Sequence, residues 1–106
     1  MDFEDLSDAD VEKTIAATRA PPLLIAFRAK ENQLCGDVEQ QLSKLGYKDE
    51  LRLGRMDVET NPETRERFGI LSVPNLVLFK GSVDLRSGWI GPWSDEKVQE
   101  FLKEHL

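Results

Sequence analysis

Phe68-Gly69-Ile70-Leu71-Ser72-Val73-Pro74-Asn75-Leu76-Val77-Leu78-Phe79-Lys80-Gly81 carries four structural signals in fourteen residues. Gly69 fits the stop of a helix that ends near Phe68. Val73-Pro74 breaks the chain again, because proline lacks an N–H and restricts its predecessor. Leu76-Val77-Leu78-Phe79 is a continuous apolar run of strand length, the pattern of a strand covered on both faces. Lys80-Gly81-Ser82 then reads as a hairpin turn into a returning strand, Val83 to Ile90.

Working outward toward the N-terminus, Thr60-Asn61-Pro62 opens the short helix that Gly69 closes. Before it, Leu51 to Val58 reads as a strand with Leu53, Met56 and Val58 buried. Asn32 is a good N-cap for a helix over about Gln33 to Leu45, whose buried face is Leu34, Val38, Leu42 and Leu45 and whose stop is Gly46. Leu23-Leu24-Ile25-Ala26-Phe27 is a second continuous apolar run, bounded by breakers. Pro21-Pro22 ends a helix that Ser7 or Asp8 caps, with Val11, Ile15 and Thr18 inward and Asp8, Asp10 and Glu12 near its positive end. Phe3 to Leu6 reads as a short edge strand. Toward the C-terminus, Gly91-Pro92 ends the returning strand. Ser94 caps a last amphipathic helix with Val98, Phe101, Leu102 and Leu106 on its inner face. The order β-α-β-α-β-α-β-β-α predicts the α/β class, a central mixed β-sheet flanked by helices on both faces.

The totals bound the function. A chain of 106 residues with 40% apolar side chains builds one domain, residues 1–106, with one core. No apolar run approaches the ~20 residues of a membrane span. The acidic start, Met1-Asp2-Phe3-Glu4-Asp5, lacks signal-peptide order, so a cytoplasmic location is expected. Fourteen basic and twenty acidic residues give a net charge of −6, and mean hydropathy is −0.44. Nucleic acid and anionic membrane are poor partners for that surface. One cysteine, Cys35, excludes a disulfide or a cysteine-based metal site within one chain. No cofactor or metal spacing is present, and His105 is a surface residue at the chain's end.

Taken together, Pro22 to Lys30, Arg55 to Pro62, Phe68 to Gly81 and Gly91 resemble the thioredoxin family over nearly the whole chain. The resemblance implies a thioredoxin-like fold, a cis peptide before Pro74, and a loop there that accepts polypeptides by strand-like pairing. From the residues alone, Pro74 reads equally as a trans turn proline. The family's active turn, Trp-Cys-Gly-Pro-Cys, falls on Glu31-Asn32-Gln33-Leu34-Cys35. Its exposed nucleophile is thus Asn32 and its sheltered second cysteine is Cys35. The buried carboxylate that assists proton transfer falls on Ala26, a bulky tryptophan position becomes Arg28, and Arg55 takes the place of a lysine near that carboxylate.

Releasing a mixed disulfide takes a second thiol. A degenerate site with one cysteine is therefore not expected to act as an ordinary dithiol oxidoreductase. Two functions follow. One is a polypeptide-binding, adaptor or chaperone-like module in a setting of cell redox homeostasis. Its rim would comprise Asn32, Gln33, Leu34, Val73, Pro74, Gly91 and Trp93. The other is a single redox thiol at Cys35 that forms mixed disulfides with a protein, with glutathione or with a second copy. Cys35 itself reads two ways. Burial makes it an inert core thiol, whereas the positive end of a helix would activate it, and Glu31, Asp37 and burial oppose that activation. Asn32 reads first as a helix cap, and Trp93 divides between rim and packing on the last helix.

Overall fold

A computed structural model of the chain describes residues 3–17, 21–30, 36, 40, 44, 51–73, 75–81, 86–90 and 95–105, and the side chains of these except 86–90, 95, 98 and 105. The described elements run β1 (Glu4–Asp5), α1 (Val11–Ala17), β2 (Leu23–Arg28), β3 (Arg52–Asp57), α2 (Pro62–Arg67), β4 (Asn75–Phe79), β5 (Arg86–Ile90) and α3 (Asp95–His105). Between β2 and β3, the described residues Gly36, Gln40 and Lys44 are helical, within the helix expected over Gln33 to Leu45. Leu34, Val38, Leu42, Leu45 and Gly46 lie outside the described residues, as do Thr18, Ser82 to Asp84, Ser94 and Leu106.

The five strands form one mixed sheet in the order β1-β3-β2-β4-β5. β1 and β2 pair with β3 in parallel, and β4 pairs antiparallel with β2 and β5. β2 is central, and Leu23 to Phe27 is buried at every position because both faces of the sheet are covered. Strand alternation splits its residues between two cores. Leu23, Ile25 and Phe27 join Val77 and Phe79 of β4 and Met56 of β3, under Val11 and Ile15 of α1. Leu24 and Ala26 join Leu53, Leu76 and Leu78 on the other face, under Phe101 and Leu102 of α3. Helices therefore cover both faces, as expected. Burying each of these large side chains stabilises by about 1.5–3 kcal/mol.

The two residues expected as alternative caps of α1 take different roles. Ser7 caps α1: its carbonyl accepts the Val11 N–H at 2.9 Å, and its own N–H donates to Asp10 Oδ1 at 2.8 Å. Asp8 instead serves the start of α2. Its Oδ1 accepts the Thr64 N–H at 2.8 Å and the Thr64 hydroxyl at 2.6 Å, and its Oδ2 accepts the Glu63 N–H at 3.3 Å. Asn61 occupies the N-cap position of α2 but makes no side-chain cap bond there. Its Oδ1 accepts the Asp8 N–H at 2.9 Å, and its Nδ2 donates to the Asp57 carbonyl at 2.8 Å.

At the other end of α2, Gly69 has φ +65°, in the left-handed region. The Gly69 N–H donates to the Glu66 carbonyl and the Ile70 N–H to the Arg65 carbonyl, which closes the helix as a Schellman motif. The edge strand is shorter than the Phe3 to Leu6 expected. Its two residues reach across to β3, Glu4 to Arg52 at 2.6 and 2.7 Å and Asp5 to Arg55 at 2.5 Å. Leu6 follows and packs over Gly54, where a Cβ would stand 2.8 Å from Leu6 Cδ1.

Candidate functional site

The sequence reading puts the expected site where β2 ends and β4 begins. Phe27 pairs with Asn75, and Asn75 pairs with Ile90. That register sets the chain leaving β2 through Arg28, Ala29 and Lys30 beside the chain entering β4 through Ser72 and Val73. It also brings the end of β5 to the same edge. Of the expected rim, Val73 is described: it is half-buried and packs on the α1-side core. Asn32, Gln33, Leu34, Cys35, Pro74, Gly91 and Trp93 lie outside the described residues, as do the caps expected at Asn32 and Ser94.

The loop before β4 has two features that the sequence did not mark. Leu71 is 90% exposed, whereas its neighbour Ile70 is buried in the α1-side core. Asn75 is 5% exposed, and its Oδ1 has no hydrogen-bond partner among the described residues. A buried amide acceptor without a partner costs about 1–3 kcal/mol. The loop thus holds an apolar side chain in water at one end and an unsatisfied acceptor in the interior at the other.

The charges at this end of the sheet follow from the register of β1, β2 and β3. Ala26 is 2% exposed and stands opposite Arg55 in the parallel register of β2 and β3. Position 26 offers no proton to chemistry above it. Arg55 turns to its other neighbour strand, where Asp5 is its register partner and its Nε donates to Asp5 Oδ1 at 2.5 Å. The bond from Arg55 holds the Asp5 carboxyl below its ordinary value, with a smaller contribution from Arg28. The cation at position 55 has kept a carboxylate, but on the edge strand, where the Asp5 side chain is 78% exposed.

Asp57 and Glu59 do not face each other as paired acids. Asp57 Oδ1 accepts the Glu59 backbone N–H at 2.8 Å, a local turn contact. Glu63, Arg65, Glu66 and Arg67 are exposed, with Arg67 paired to Glu12 of α1. Among the described residues, no three His, Cys, Asp or Glu side chains are grouped to hold a metal ion, and no helix is long and apolar enough to cross a membrane.

Comparison with known proteins agrees with this architecture. Residues 2–104 match the sequence model of the thioredoxin family. The chain belongs to the thioredoxin family. A thioredoxin of Alicyclobacillus acidocaldarius is 33% identical over 103 residues, covering 95% of each chain. A thioredoxin of Acidithiobacillus ferridurans is 28% identical over 105 residues, covering 97% of this chain and 92% of its own. A thioredoxin of Mycobacterium bovis is 31% identical over 87 residues, 71% of this chain and 75% of its own. The match to the thioredoxin family runs from β1 into α3.

Proposed function

We propose that this thioredoxin-family chain binds polypeptides, as an adaptor or chaperone-like module of the cytoplasm, and that dithiol exchange is not its activity. The observation that carries the reading is the loop from Leu71 to Asn75. An exposed leucine leads directly into the segment that the family presents to polypeptides, and the buried Asn75 Oδ1 at its far end has no partner among the described residues. An extended chain laid along this edge would cover the leucine and supply backbone donors. The single cysteine of the sequence supports the second half of the proposal, since one thiol cannot resolve its own mixed disulfide.

Aggregation of insulin during reduction by dithiothreitol separates the readings by sign. A dithiol enzyme hastens the turbidity; a polypeptide-binding module delays it. The expected outcome is a delay that Cys35→Ser retains and Leu71→Asp loses. Leu71 is exposed, so Leu71→Asp should leave stability within about 0.5 kcal/mol. Acceleration by the native chain would overturn the proposal. A delay lost in Cys35→Ser would assign the function to mixed disulfides through Cys35, with protein, glutathione or a second copy.

A further inference from the structure

The carboxyl ends of the three parallel strands β1, β2 and β3 surround a cleft of about 470 Å³. Crevices at the carboxyl ends of strands are where open α/β sheets hold small ligands, and the volume falls within the ~300–1,000 Å³ of such pockets. Arg28 and Lys30 line it from the end of β2, Arg55 and Asp57 from β3, and Asp5 from β1, with Thr60 from the loop beyond β3. The lining carries three positive and two negative side chains, a surplus of one positive charge. The chain as a whole carries −6. The cleft therefore reverses the sign of the molecule locally.

Its two carboxylates are already engaged. Asp5 accepts from Arg55 at 2.5 Å, and Asp57 accepts the Glu59 N–H at 2.8 Å. The Thr60 hydroxyl oxygen accepts a hydrogen bond from Asn61 Nδ2 at 3.2 Å, which leaves its own proton to donate. Asn61 is itself buried and fixed by Asp8 and the Asp57 carbonyl, so this donor is set on a rigid support. Guanidinium groups, an ammonium and a hydroxyl donor around one crevice are the groups that recognise carboxylate and phosphate oxygens.

We propose that this cleft binds a small organic anion carrying a carboxylate or phosphate group, on the β1–β3 side of the β2 end that it shares with the polypeptide edge. The site does not depend on the function proposed above. The test is titration of the full ¹⁵N-labelled chain with citrate and, separately, with inorganic phosphate, at constant ionic strength held with sodium chloride. The expected result is saturable shifts of the Arg28, Lys30 and Thr60 amides for at least one of the two anions, and the one that saturates names the chemistry. Lys30→Gln and Arg28→Gln should each weaken it at least tenfold, with the amide spectrum confirming that each variant is folded. Lys103→Gln, on the exposed side of α3, should leave it unchanged. Linear shifts scattered over the surface for both anions, or saturable shifts that survive both substitutions, would overturn the proposal.

Discussion

Asp8 shows how a residue's role depends on what folding brings to it. Burial raises its pKa, but hydrogen bonds from the Thr64 hydroxyl and from the Thr64 and Glu63 N–H groups outweigh that and hold it below its ordinary 3.8. A carboxylate with a depressed native pKa contributes stability that is complete above the unfolded value. That contribution is lost as pH falls through the lower native value. Asp8→Ala should lower the thermal midpoint by several degrees at neutral pH, and Asp8→Asn, which keeps an acceptor oxygen, by less. Melting curves of native chain and Asp8→Asn should converge as pH drops below 3.8. A gap that persists there would mean that the charge is not what matters. The sequence identified Asp8 as a capping residue but not the helix it caps, because Thr64 lies 56 residues away and only the fold joins them.

At the scale of elements, α2 is the instructive case. Six residues are too few to sustain a helix alone, since a nucleus costs more than one turn returns. It stands because Pro62 sets its first turn, Asp8 satisfies its N-terminal donors and Gly69 closes its C-terminal carbonyls. Nothing lies within 4 Å of a Cβ built on Gly69, so the cost of Gly69→Ala is that of the left-handed backbone alone. Chemical denaturation should show a loss of about 1–2 kcal/mol, and a change near zero would mean that the motif is not stabilising. Both ends of this helix could be read from Asn61-Pro62 and Phe68-Gly69, and β2 from five unbroken apolar residues, because these signals are local. The partner of Arg55 could not be read, since β1 is two residues long and its register is set by tertiary pairing. Nor could the burial of Asn75, as an amide after a proline reads as an exposed turn.

Across the whole sheet, one register row runs Asp5, Arg55, Ala26, Leu76, Trp89 from edge to edge. Among the described residues its Asp5–Arg55 ion pair lies at the β1 edge, and its centre, Ala26 and Leu76, is apolar. The resemblance to thioredoxin assigns this row the proton relay and Asn32 the missing nucleophile, so the two losses can be reversed separately. Asn32→Cys supplies the second thiol on a retained fold and should raise insulin reduction above the background of the native chain. With Ala26 where the resemblance puts the relay carboxylate, that activity lacks assistance from a general acid or base, a contribution of about 10²–10⁴-fold where fully developed. Ala26→Asp places a carboxylate opposite Arg55, which already holds Asp5, so the guanidinium is shared and the buried charge is only partly compensated. Adding Ala26→Asp to Asn32→Cys should therefore increase the rate by about tenfold, short of that range, while lowering stability. A rise from Asn32→Cys alone to the rate of an intact dithiol enzyme would show that the row contributes nothing. No rise in either variant would show that the edge has been rebuilt for binding beyond the loss of one thiol.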